Sequence, residues 1–151
     1  SSRMAPLVIK NNQINHVSAT GATSPAAGIY AAMLSEALIS GNAVTEIKTP
    51  STVQFAIGIS VLPNASAGAP SGFLDIAGNF VSNAAPTANG KGIYLAAGVS
   101  HSVVHDSVIG GMNTGIYTAA AGGSALYLYN SVSGAAAPYF GGILGPNNRA
   151  Q

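Results

Sequence analysis

One short phrase recurs five times along this chain of 151 residues, and it limits what the chain can become. It reads apolar, two spacers, Asn or Ser, one spacer, then usually Val or Ile. The copies are Ile9-Lys10-Asn11-Asn12-Gln13-Ile14, Ile39-Ser40-Gly41-Asn42-Ala43-Val44, Ile76-Ala77-Gly78-Asn79-Phe80-Val81, Val104-His105-Asp106-Ser107-Val108-Ile109 and Leu128-Tyr129-Asn130-Ser131-Val132-Ser133. A glycine phrase follows each one, at Gly28-Ile29-Tyr30, Gly58-Ile59-Ser60, Gly92-Ile93-Tyr94, Gly115-Ile116-Tyr117 and Gly142-Ile143-Leu144. Two interleaved phrases at uneven intervals of about 23 to 37 residues mark a repeat architecture. The phrases are β-type. Helical repeats need long amphipathic helices, and the pattern here offers none.

In coils of parallel strands, alternate residues point in and out. The leading Ile, Val or Leu of the first phrase is expected inside. The Asn or Ser after it sits at a bend, where a buried polar group must find partners or cost several kcal/mol. Stacking the same group one coil away supplies them. Asn12, Asn42, Asn79, Ser107 and Ser131 are therefore expected to form a structural ladder. The glycine permits a tight bend, the following Ile (29, 59, 93, 116, 143) is expected inside, and the next residue faces out. That outward column reads Tyr30, Ser60, Tyr94, Tyr117, Leu144. Aligned Tyr30, Tyr94 and Tyr117 suit a strand surface, a contact with another copy, or stacking on sugar rings.

The segment Ala31 to Leu38 has helical propensity, but its place in the repeat makes it strand and turn. Loops are expected at Ser18 to Ala27, Lys48 to Thr52, Leu62 to Gly72 and Ala84 to Lys91. No domain boundary is visible, so residues 1–151 read as one β domain. The phrase Asn64-Ala65-Ser66 fits a glycosylation acceptor.

Composition narrows function. Only 6% of residues are charged against 48% hydrophobic, where an ordinary soluble domain carries roughly 25% charged residues. A mild polar exterior of this kind suits an extracellular, cell-surface or virion-surface protein, or one whose outside meets further copies of itself. A net charge of +1 with five scattered basic residues argues against nucleic acid. Cysteine is absent, and no apolar run reaches the roughly 18 residues of a membrane span. The chain does not begin like a secretory signal and reads as a mature chain or a fragment.

The chemistry-bearing residues are few. Glu36, Glu46, Asp75 and Asp106 are the whole acidic inventory. Asp75 and Asp106 fall three positions out of register on adjacent coils, which does not favour a catalytic pair. His101, His105 and Asp106 form a small polar cluster without a third strong metal ligand. No catalytic residue, metal or cofactor is assigned.

The pattern resembles the right-handed parallel β-helix superfamily with the pectin-lyase-like fold. More closely, it resembles the generic β-helix repeat proteins of bacteria and phage. The stretch from Val103 to Ile143 carries the likeness best, through Asp106-Ser107-Val108-Ile109, Thr114-Gly115-Ile116, Gly122-Gly123-Ser124-Ala125 and Asn130-Ser131. It extends over residues 7 to 151. The resemblance implies an all-β solenoid of about five coils. It is also shared by polysaccharide lyases, epimerases, tailspikes, adhesins and coat proteins. Two readings follow. The first is a non-catalytic extracellular β-solenoid, self-associating end to end. The alternative is a carbohydrate-binding or carbohydrate-active β-helix.

Overall fold

A computed structural model of the chain describes residues 6–21, 23, 25–33, 36–50, 53–63, 73–99, 101–119 and 125–151. These residues form an all-β protein. The strands are β1 (Leu7–Lys10), β2 (Gln13–Asn15), β3 (Ala26–Met33), β4 (Ala37–Ser40), β5 (Ala43–Thr45), β6 (Ala56–Pro63), β7 (Leu74–Ala77) and β8 (Phe80–Leu95). They continue with β9 (Ser102–His105), β10 (Val108–Thr118), β11 (Ala125–Leu128), β12 (Ser131–Ser133), β13 (Ala137–Phe140), β14 (Ile143–Leu144) and β15 (Arg149–Ala150). Among the described residues no helix is long and apolar enough to cross a membrane. The strand ends of the Ala31 to Leu38 segment lie in β3 and β4; Leu34 and Ser35 fall outside the described residues, as does the Asn64-Ala65-Ser66 phrase.

Pairing between the described strands is parallel throughout, in two sheets. One runs β1-β4-β7-β9-β11-β14. The other runs β15-β12-β10-β8-β5-β2, with β13 against β10 and β6 between β3 and β8. The repeat phrase dictates this register. Ile9 lies beside Ile39, Ile39 beside Ile76, and Ile76 beside Val104. Ile14, Val44, Val81, Ile109 and Val132 run likewise through the second sheet. Both rows face one core, filled by Ile39, Ile47, Ile59, Leu74, Ile76, Ile93, Leu95, Ile109, Met112 and Ile116.

Burial alternates down each short strand, as in β4, β7, β9 and β11. That period of two gives every strand one face toward the core. A single step of register would turn that face outward.

Close approach makes the second phrase need glycine. A β-carbon on Gly92 would lie 2.4 Å from the Ile109 side chain and 2.6 Å from the Gly115 carbonyl oxygen. No side chain fits there, and the chain bends so that Ile93 also reaches the core.

Three expectations are corrected. First, the fifth copy of each phrase is shifted. Val104 pairs with Tyr127, not Leu128, because a buried tyrosine takes the position that aliphatic residues hold elsewhere. Its hydroxyl makes this tolerable, accepting from Thr118 Oγ1 at 2.5 Å and donating to the Phe140 carbonyl at 3.2 Å. Burial pushes that phenol up to about 12, against the pull of Thr118. Second, Ile116 and Tyr117 pair with Tyr139 and Phe140, so Ile143 and Leu144 do not continue the glycine phrase. They form β14 in the other sheet, beside Leu126 and Tyr127, and are largely exposed. Third, Ala84 to Lys91 is not a loop but part of β8. Asn83 turns the corner there: its side chain accepts from the Ile47 N–H at 2.8 Å and donates to the Ile47 carbonyl at 2.9 Å.

Candidate functional site

Three groups of polar and aromatic side chains stand out: the asparagine row, an aromatic row holding a lysine, and a histidine between two aspartates.

The asparagine row runs the whole height of the sheets. The Asn12 N–H donates to Asn42 Oδ1, and the Asn42 N–H to Asn79 Oδ1, both at 3.0 Å. The Asn79 N–H donates to Ser107 Oγ at 3.3 Å, and the Ser107 N–H to Asn130 Oδ1 at 3.1 Å. The Asn130 N–H then donates to Asn148 Oδ1 at 3.1 Å. The row therefore passes through Asn130 rather than Ser131. Ser131 opens β12, in register with Val108 and Arg149. The misplacement follows from Tyr127: counted from the buried tyrosine, Asn130 stands at the same offset as Asn12 from Ile9. Asn148, a sixth member, escaped notice because one extra residue separates it from Leu144.

Each row member follows a residue in the left-handed region: Asn11 (φ 56°), Gly41 (65°), Gly78 (59°), Asp106 (52°), Tyr129 (55°) and Asn147 (58°). That conformation costs an ordinary side chain about 1–2 kcal/mol. The turn is kept because it aims each amide along the row. The amide nitrogens also satisfy carbonyls one strand back, as Asn42 Nδ2 does for Ile9 at 3.1 Å and Asn79 Nδ2 for Ile39 at 2.9 Å. Within the row, the side chains of Asn42, Asn79, Ser107 and Asn130 each accept from one neighbour and donate to another group of the fold, as a structural ladder requires.

The aromatic row lies on the outer side of the second sheet. Register places Tyr30, Ser60, Tyr94, Tyr117 and Phe140 in one column. Tyr94 and Tyr117 stack at 5.5 Å, and Tyr117 and Phe140 at 4.7 Å with planes 5° apart. Phe55 leans toward Tyr94 at 6.3 Å. The sequence reading brought Tyr94 and Tyr117 together, had Leu144 where Phe140 stands, and missed Phe55. Tyr30 stands at the edge, 65% exposed.

Lys91 is only 7% exposed. Its Nζ sits 3.7 Å from the Phe55 ring centre, 3.6 Å from Tyr117 and 4.8 Å from Tyr94. Desolvation lowers its pKa from the usual lysine range, and the ring faces offset part of that cost. Burial raises the Tyr94 phenol, helped by Tyr117. A sugar ring stacks on an open aromatic face. Here the faces of Tyr94 and Tyr117 are turned to neighbouring rings and to Lys91.

The third group is on the outer side of the first sheet. His105 Nδ1 lies 2.7 Å from Asp106 Oδ2, and His105 Nε2 lies 3.0 Å from Asp75 Oδ1. The register predicted from the repeat, Asp75 beside Val103, is the one observed. His105 reaches across it and joins the two aspartates, a link that the spacing of carboxylates alone did not reveal. Burial lowers the imidazole's pKa, but its bonds to Asp106 and Asp75 and their charges outweigh that, so the net shift is upward. Among the described residues no three His, Asp or Glu side chains gather as a metal site. An apolar cleft of about 260 Å³ adjoins Asp75, lined by Pro6, Val8, Glu36, Ala37, Leu38 and Phe73.

A fully hydrogen-bonded imidazole between two carboxylates braces two strands. Both ring nitrogens are engaged. No family model, curated protein or solved structure matches this chain.

Proposed function

We propose that this chain is a right-handed parallel β-helix, a β-solenoid of the pectin-lyase-like kind, serving as a non-catalytic structural module outside the cell and associating with further copies of itself. The observation that carries the reading is the state of the core columns at the two outer edges of the sheets. The column Ile39, Ile76, Val104, Tyr127 is fully buried, yet the next member, Leu144, is 60% exposed. At the opposite edge Leu7 is 37% exposed, and Ile9 and Ile14 are only partly covered. Edge strands also carry unpaired backbone donors and acceptors, a ready template for another chain. Among the described residues the apolar content of these edges is high: β14 holds only Ile and Leu, and β1 carries a single Lys among Leu, Val and Ile.

The low charge fits a surface that tolerates close neighbours, and the three polar groups described above are occupied in holding strands together. Sedimentation velocity over a concentration series tests the proposal. Self-association predicts a mass that rises with concentration. A single species at the mass of one chain, at every concentration up to the millimolar range, would contradict it.

A further inference from the structure

Resting on that self-association, we infer that the contact is head-to-tail: the β14–β15 edge of one copy meets the β1–β2 edge of the next, and neither edge meets its own kind.

The asparagine row has a direction. At each step the backbone N–H of the earlier residue donates to the side-chain oxygen of the later one, from Asn12 through Asn42, Asn79, Ser107 and Asn130 to Asn148. Side-chain oxygens therefore point toward the β1–β2 edge and N–H groups toward the β14–β15 edge. Among the described residues, Asn12 Oδ1 receives no donor from the row. The Asn148 N–H likewise finds no acceptor in it. The two ends are complementary to each other and not to themselves. Two β1–β2 edges would set acceptor against acceptor, and two β14–β15 edges donor against donor.

The flanking columns agree. Ile9 and Leu144 end one aliphatic column, and Ile14 and Ala150 end the other. Bringing Asn12 over Asn148 sets aliphatic on aliphatic at both. Parallel pairing continues through the junction with the same strand direction, which a two-fold contact cannot provide. A heterologous contact of this kind does not close on itself and yields an open filament. Six members of the row, at about 4.8 Å each, give an axial repeat of about 29 Å per copy.

Two variants, each blocked at one edge, test the polarity. In β1 the Leu7 and Asn11 N–H groups bond to the Glu36 and Ser40 carbonyls, so strand alternation turns the Val8 N–H away from β4, to a side where no described strand pairs with it. Val8→Pro removes that donor without breaking an internal bond. In β14 the Gly145 N–H bonds to the Tyr127 carbonyl, so Leu144→Pro does the same at the opposite edge. By sedimentation velocity each variant alone is expected to be monomeric. Their equimolar mixture is expected to form a one-to-one dimer that grows no further. The inference is overturned if either variant dimerises alone, or if the mixture stays monomeric while the unaltered chain associates. An unaltered chain that stays monomeric overturns the self-association itself. Should either variant lose its β-sheet circular dichroism, the pair Asn15→Pro and Ala150→Pro repeats the test one turn further along the same edges.

Discussion

Replacing Asn79 by Ala tests how much the interior amides contribute. Asn79 is 1% exposed, and its side chain serves three buried groups. Its Oδ1 accepts from the Asn42 N–H and from Asn42 Nδ2, each at 3.0 Å, and its Nδ2 donates to the Ile39 carbonyl at 2.9 Å. Alanine strands all three where water does not reach. An unsatisfied buried polar group costs about 1–3 kcal/mol, so the loss is about 3–6 kcal/mol once partial relaxation is counted. Asn12→Ala is the internal control. Asn12 is exposed at the sheet edge, its N–H still donates to Asn42 Oδ1, and the groups it abandons turn to water. The expected loss there is about 0.5–1 kcal/mol. Urea unfolding followed by circular dichroism gives both values, read as a shift in midpoint with the slope unchanged. Equal losses at the two positions would refute the reasoning, because Asn79 is buried and serves three groups of the fold, whereas Asn12 is exposed and, among the described residues, its Oδ1 receives no donor from the row.

Three further outcomes are expected. His105 is raised in the folded protein, so its contribution to stability is fully present below the unfolded pKa of about 6.5 and is lost as pH rises through the folded value. The stability difference between the native chain and His105→Gln should shrink between pH 6 and pH 9, and a pH-independent difference would contradict the Asp75–His105–Asp106 brace. Gly92→Ala places a methyl 2.4 Å from Ile109 and should cost about 1–3 kcal/mol in chemical unfolding, whereas an unchanged midpoint would mean the close approach is not real. Lys91→Gln removes a cation from three ring faces and should cost about 1 kcal/mol. It should also alter the near-ultraviolet circular dichroism of Tyr94 and Tyr117; an unaltered spectrum would place the lysine elsewhere.

Much of this architecture was legible because the repeat phrase encodes register directly. Ile9, Ile39, Ile76 and Val104 can be aligned by eye, and the sheets align them the same way. Reading failed where one residue class stood in for another. A buried tyrosine at 127 broke the aliphatic pattern, moved the ladder assignment from Asn130 to Ser131, and carried the glycine phrase to Gly142 instead of Pro138. The signal that could have found it was the left-handed turn. The position before each Asn or Ser is an Asn, Gly or Asp in four earlier copies, and Tyr129 is the exception that hides the fifth. The clustering of Lys91 with Phe55, Tyr94 and Tyr117 was beyond pattern reading. It joins residues from three passes of the chain, and a single lysine inside a strand reads as an ordinary surface charge. The His105 bridge was hidden for a similar reason. Two aspartates out of register look unrelated until a side chain between them spans the offset.

The central proposal, a parallel β-solenoid that adds copies along its own axis, is tested most directly by electron microscopy and fibre diffraction of concentrated purified protein. The account predicts unbranched filaments with a reflection near 4.8 Å along the axis and an axial repeat of about 29 Å. Discrete particles of one chain, or filaments whose strand spacing runs across the axis instead of along it, would contradict it.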